Sequence, residues 1–315
     1  MKTLIKIIKI TLTSILVILI VTFMFFGYSD KDVNELSQKY APYPSQFIEI
    51  DGMNVHYRDE GNPRDSIPIV LIHGTGSSLH TFDDWVNSLK KDKRILRMDI
   101  PAFGLTGPFP DRNYSIKNYV AFIEHFLASK EIDNCILAGN SLGGEIAWQF
   151  TVKNPEKVNK LILIDASGYP FKPESMPIAF TIARIPVINK LLTVITPRFM
   201  AKASIENVYA DKTKVTESLV DRYFELTLRS GNRQALIDRM TTKFDTIKSS
   251  NIKNIQLPTL IIWGEQDKLI PIHNAYRFHD DLPNDTLVIL KNSGHVPMEE
   301  NPKESLEAVL QFLKN

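Results

Sequence analysis

The pentapeptide Gly139-Asn140-Ser141-Leu142-Gly143 carries the clearest chemistry in the chain. It spells G-x-S-x-G between an apolar run, Asn134-Cys135-Ile136-Leu137, and a helix-compatible run, Glu145-Ile146-Ala147-Trp148-Gln149-Phe150. A strand-to-helix turn this sharp strains the backbone of its central residue and leaves the serine hydroxyl standing at the top of a sheet. The helix that starts at once points its first N–H groups at developing negative charge. Ser141 is therefore the candidate nucleophile.

A nucleophilic serine needs a base to take its proton and an acid to orient that base. In this pattern they follow the serine in the order acid, then histidine, each on a loop after a strand. Asp267 lies just past Leu260-Ile261-Ile262-Trp263, in Gly264-Glu265-Gln266-Asp267, and His295 lies past Leu287-Val288-Ile289-Leu290, in Asn292-Ser293-Gly294-His295-Val296-Pro297. Both fall at the C-terminal ends of strands, the edge where open α/β sheets carry their sites. Glu265 and Asp165 compete with Asp267 for the role of acid. His56, His80, His125 and His279 read as structural or solvated, and His73 as structural. The oxyanion of an acyl-transfer intermediate needs two fixed donors: the Leu142 N–H, next after the nucleophile, and the Thr75 N–H in His73-Gly74-Thr75-Gly76.

The elements that must position these residues alternate. Phe47–Ile50 and Met53–Arg58 form a hairpin across Asp51-Gly52. Strands follow at Ile67–Ile72, Arg94–Ile100, the stretch before the elbow, Leu161–Ile164, Thr259–Trp263 and Thr286–Leu290. Helices are expected at Thr81–Lys91, Ser115–Lys130 with Ser115 as N-cap, after Ser141, His273–Asp281 and Lys303–Leu313. Alternation of this kind implies βαβ units and a mostly parallel sheet flanked by helices. From Gly168 to about Ser250 no convincing strand occurs, and residues 169–250 read as a helical lid over the sheet's C-terminal edge.

Composition fits a globular domain with a sizeable core: 43% hydrophobic and 23% charged residues. A net charge of +1 gives no sign of a nucleic-acid partner, which would need a basic stripe. The single cysteine, Cys135, can form neither an internal disulfide nor a cysteine-rich metal site. The N-terminus departs from this average. Lys2, Lys6 and Lys9 precede Ile10–Ser29, an uncharged apolar stretch of twenty residues. That length spans the roughly 30 Å hydrocarbon core as a helix, and the flanking lysines place the N-terminus in the cytoplasm and the rest of the chain outside. The competing reading is a cleaved signal peptide, for which Gly27-Tyr28-Ser29 offers small residues; the apolar stretch is long for one and has no A-x-A. The expected organisation is a membrane anchor or signal over 1–29, a linker over 30–45 and one domain over 46–315.

The segment from about Phe47 to Leu313 resembles the α/β-hydrolase superfamily. The resemblance rests on His73-Gly74, Asp99-Ile100-Pro101-Ala102-Phe103-Gly104, Gly139–Gly144, Gly264-Glu265-Gln266-Asp267 and Gly294–Glu299, in that order. Within the superfamily the chain is similar to bacterial esterases and lipases with an N-terminal membrane or export segment, and less closely to hydrolases of ring meta-cleavage products. It departs at Ala102, where the family pattern has glycine, and at Val296, where the carbon–carbon bond hydrolases carry an aromatic residue. The resemblance implies a serine hydrolase of carboxylic esters, with an apolar small-molecule substrate and neither cofactor nor metal. The alternatives are a carbon–carbon bond hydrolase of meta-cleavage products and a non-catalytic ligand sensor on the same fold.

Overall fold

Eight strands form one sheet in the computed structural model, which describes residues 1–242 and 249–314. Helix α1 (Lys2–Phe26) is long and apolar, with a mean hydropathy of 2.5 over its best window and none of that window buried, and it is a candidate membrane span by length and composition. The segment expected as a linker, 30–45, contains an eight-residue helix, α2 (Val33–Tyr40). Asp32 caps it by accepting from the Asn34 N–H at 2.7 Å. Only Leu36 and Tyr40 of α2 are buried, against Leu105 and Leu226, so its composition reads as polar.

The expected hairpin is β1 (Ser45–Ile50) and β2 (Met53–Gly61), with Asp51 and Gly52 at φ 52° and 76°, as a tight two-residue turn requires. β3 (Ile69–Ile72) leads through a 3₁₀ turn and α3 (Asp83–Leu89) to β4 (Arg94–Met98). α4 (Ile116–Ser129), capped by Ser115, precedes β5 (Cys135–Asn140), α5 (Leu142–Lys153) and β6 (Val158–Ile164). Four helices follow: α6 (Ile178–Ala183), α7 (Arg198–Val208), α8 (Glu217–Thr227) and α9 (Asn232–Thr241). The break between α8 and α9 includes Gly231 in the left-handed region, φ 89°. Residues 243–248 of the expected lid lie outside the described residues. The core resumes with β7 (Thr259–Gly264), α10 (His273–Asp281), β8 (Asp285–Leu290), α11 (Pro297–Glu300) and α12 (Pro302–Lys314).

The sheet order is β1-β2-β4-β3-β5-β6-β7-β8. β2 pairs antiparallel with β1 and β4, and every other pairing is parallel. The inner strands are buried on both faces, which is why they read as continuous apolar runs. Along β3, Ile69 and Leu71 face a core built with α3 and α12, while Val70 and Ile72 face one built with α4, α5 and α10. The chain crosses to β4 after β3 and to the opposite side after β5. The C-terminal ends of β3 and β5 therefore frame a topological switch point, where such sheets open a crevice for ligands. His73–Gly76 leaves one of these ends and Ser141 the other.

Candidate active site

Ser141 stands between β5 and α5 with φ 55° and ψ −115°, a region that costs a non-glycine residue about 1–3 kcal/mol. Surrounding bonds hold it there. Its N–H donates to Ile164 O at 3.0 Å, and its carbonyl accepts from Ser167 N at 3.1 Å and Glu145 N at 3.1 Å. The glycines on either side permit the close crossing. A Cβ on Gly139 would lie 2.1 Å from Gly143 O, and one on Gly143 would lie 2.2 Å from Ile72 O.

Asp267 and His295 meet as the chain order suggests. His295 Nδ1 and Asp267 Oδ2 are 2.7 Å apart, both residues being buried. Asp267 Oδ1 accepts from Leu269 N at 2.8 Å and Ile270 N at 3.0 Å, so its carboxylate has three donors. The side chain of Asn140 ties the serine turn to the histidine loop: its Nδ2 donates to His295 O at 2.9 Å and Ile164 O at 3.2 Å. Of the competing acids, Glu265 is exposed. Asp165 is fully buried beside Asp267, and burial together with the neighbouring negative charge pushes its carboxyl well above the usual range.

The N–H groups of Thr75 and Leu142 have no acceptor among the described residues. Thr75, Ser141 and Leu142 line one cavity of about 600 Å³, with Glu145, Phe171, Met176, Phe180, Arg184 and Arg239 further round its wall. Burial raises the carboxyl of Glu145. Thr75 and Phe180 also line a second, apolar cavity of about 110 Å³ under the lid, among Leu192, Met200 and Phe224. Two unlike chambers thus meet at the serine-proximal loop. His73 is structural: its Nε2 accepts from Ile100 N at 3.0 Å, its Nδ1 bonds Gly74 O at 2.8 Å, and burial lowers its pKa.

Two supporting groups escaped the sequence reading. Glu300 is buried and accepts from Gly294 N and Asp211 N, both at 2.7 Å, tying the histidine loop to the lid. Glu299 accepts from Tyr223 OH at 2.8 Å and pairs with Arg222, both on lid helix α8. The acidic pair after Pro297 was the available signal. Further back, buried Asp99 accepts from Leu79 N at 2.7 Å and Leu105 N at 2.8 Å and bonds His56 Nδ1 at 2.7 Å. His56 is therefore structural. His80 is buried, while His125 and His279 sit in exposed pairs with Asp51 and Asp285.

The family description "alpha/beta hydrolase fold" matches residues 67–302. The hydrolase YugF of Bacillus subtilis (strain 168) is 27% identical over 278 residues, spanning 87% of this chain and 99% of the relative. A meta-cleavage product hydrolase from Pseudomonas fluorescens IP01 superposes with a TM-score of 0.75 at 23% identity, over 85% of this chain and 97% of that one. A crystal structure of a membrane phospholipase A superposes with a TM-score of 0.69 at 21% identity, over 99% of this chain and 98% of its own. With the match running over residues 67–302, from just before β3 to the first residue of α12, the chain belongs to the alpha/beta hydrolase fold family.

Proposed function

We propose that this protein is a serine hydrolase of carboxylic esters that forms an acyl-enzyme on Ser141. The observation that supports the reading is the buried bond between His295 and Asp267, on the loops after β8 and β7, with the His295 carbonyl bonded to Asn140 next to Ser141. In this mechanism His295 takes the Ser141 proton as Oγ attacks the ester carbonyl. The N–H groups of Thr75 and Leu142 receive the oxyanion, and the leaving alcohol departs with the proton from His295. Water then repeats the sequence on the acyl-enzyme and restores the serine. Asp267 fixes the imidazole tautomer and stabilises its charged form.

The substrate class in this reading is an apolar ester presented at the outer face of the cytoplasmic membrane, with α1 as a single-pass anchor. The chain leaving α1 is sewn to the lid: Tyr28 N donates to Val194 O at 3.0 Å, Thr196 N to Phe26 O at 3.1 Å, and Phe26 packs edge-on against Phe199. Seven large apolar side chains of residues 178–199 are exposed beside that seam, Val187 and Phe199 the most, at 77% and 63%. The inner side of the same run lines the apolar cavity. A signal peptide cleaved near Ser29 would leave the enzyme periplasmic or secreted.

The test is hydrolysis of p-nitrophenyl esters of graded chain length by the full-length protein in detergent, with Ser141→Ala as control. Cleavage lost in Ser141→Ala supports the reading, and equal cleavage by both proteins refutes it. A second reading, carbon–carbon bond hydrolysis of meta-cleavage products, draws on Arg184 in the larger cavity, a cation that suits a carboxylate-bearing substrate. Relatives named for dienoic acids share this fold family. Turnover of a ring-fission dienoate at a higher kcat/KM than any ester would favour it.

A further inference from the structure

The end of β6 carries a carboxyl group that the proposed relay leaves unused. Asp165 follows Ile164 directly, is fully buried and sits at φ 43°, in the left-handed region that a non-glycine residue adopts only when its surroundings hold it. Its N–H donates to Ile262 O at 3.0 Å, and its Oδ1 accepts from Gly264 N at 2.9 Å. These bonds aim the side chain across β7 at the acid loop. One oxygen of Asp165, one of Asp267 and a ring nitrogen of His295 all lie within 4.8 Å of one another. Yet Oδ2 of Asp165 is buried with no donor among the described residues.

Counting donors decides between the two carboxyls. Asp267 has three, from Leu269 N, Ile270 N and His295 Nδ1, whereas Asp165 has one. A buried polar oxygen without a partner costs about 1–3 kcal/mol, and a second anion beside the first costs more. The charged and titratable groups facing Asp165 are Asp267, Glu300 and His295, two of them carboxyls. A cation here would compete with the His295–Asp267 bond. A proton on Asp165 resolves both difficulties at once.

We propose that Asp165 is a positioning residue that carries a proton on Oδ2 and donates it as a hydrogen bond to the Asp267 carboxylate, so that Asp267 is held from both sides while it holds His295. The burial and the adjacent negative charge that raise the Asp165 carboxyl act in the same direction. The inference rests on the roles proposed above for Ser141, Asp267 and His295.

The test compares Asp165→Asn and Asp165→Ala in the full-length protein in detergent micelles. Asparagine is a neutral donor of nearly the same shape. It should keep kcat within about threefold and leave the acid limb of the kcat/KM–pH profile in place, because no charge is removed. Alanine frees Asp267 and orphans Gly264 N; it should lower kcat by about 10–100-fold with KM little changed, as loss of an orienting partner does. The proton NMR signal of His295 Nδ1–H, far downfield when bonded to Asp267, should persist in Asp165→Asn and broaden or vanish in Asp165→Ala. That signal does not depend on substrate, so it separates failure of this inference from failure of the ester reading. Had Asp165 been an anion, removing its charge beside His295 would shift the acid limb of Asp165→Asn down by about one unit or more; that shift overturns the proposal. So does an Asp165→Ala protein with wild-type kcat and an unchanged downfield signal. If the alanine variant does not fold, the pH profile and NMR signal of Asp165→Asn still decide.

Discussion

Replacing Glu300 with alanine should cost both stability and rate. The side chain is buried and each carboxylate oxygen accepts one backbone N–H at 2.7 Å, from Gly294 in the histidine loop and from Asp211 in the lid. Removing it leaves two N–H donors without their acceptor. Asp211 is exposed and its N–H can turn to water, so the buried Gly294 N–H sets the cost, about 1–3 kcal/mol. That is a large fraction of a typical domain's 5–15 kcal/mol. Glu300→Gln keeps one acceptor oxygen and turns an NH₂ toward the other N–H, so it should fall between the two. Because Gly294 immediately precedes His295, the freed loop should also lower kcat, while KM for a small soluble ester changes less. Urea unfolding of the full chain in a non-ionic detergent, read beside p-nitrophenyl butyrate kinetics, measures both effects. A Glu300→Ala midpoint equivalent to less than about 0.5 kcal/mol of destabilisation would refute the accounting, since surface-like substitutions fall in that range. A large stability loss with unchanged kcat would refute the positioning role alone.

Other outcomes follow from single contacts. Gly143→Ala should misfold or lose about 2–4 kcal/mol in thermal denaturation, because its Cβ would meet Ile72 O at 2.2 Å and backbone on both sides must move. Acidification should destabilise the fold through His80, whose burial lowers its pKa to about 3. The unfolded chain binds this proton from about pH 6.5 downward and the folded chain does not, so the stabilisation is complete above pH 6.5 and falls away toward pH 3. At pH 5 the loss from this residue is about 2 kcal/mol. His80→Gln should flatten that part of the stability–pH curve, and an unchanged slope in urea titrations would contradict the assignment. Cys135 is buried with its thiol pushed up to about 12, so iodoacetamide at pH 8 should label it only after unfolding, as mass spectrometry would show.

The legible parts of this molecule are those whose cause is local. Continuous apolar runs such as Leu260–Trp263 mark strands buried on both faces, and the glycine spacing around Ser141 marks a crossing that no larger residue permits. Asp267 and His295 were found by their place after strands, and that place brings them within 2.7 Å. What the sequence hides depends on distant partners. Helix α2 is invisible because only two of its residues are buried. Glu299 and Glu300 look like an exposed acidic pair until lid helix α8 and the Asp211 loop arrive over them. Asp99 and His56 lie forty-three positions apart and become partners only when β2 and β4 pair. Ala102 is a milder case. The departure from glycine is plain in the sequence, but its φ of 87° is not, and the residue carries the strain that glycine would avoid.

The same bonds that sew α1 to the lid bear on how the proposed chemistry meets its substrate. The residues leaving α1 do not swing free: Gly27 bridges Ile195, Lys31 N donates to Leu228 O at 2.7 Å, and Asp30 is held by Arg233 at 2.6 Å. Arg233 is itself buried and lines the apolar cavity. The residues at the C-terminal end of α1 and just after it therefore touch both sides of the lid, at the 194–196 seam and the 228–230 turn. If α1 spans a bilayer, the exposed side chains of Val187, Leu191 and Phe199 are carried toward that bilayer by a short, bonded connection. Burying such side chains in lipid is favourable by about 25 cal/mol per Å² of apolar surface removed from water. The lid's outer and inner faces are both apolar, Val187 and Phe199 on one and Leu192 and Met200 on the other; in the function proposed above, a bilayer meets the first and an acyl chain the second.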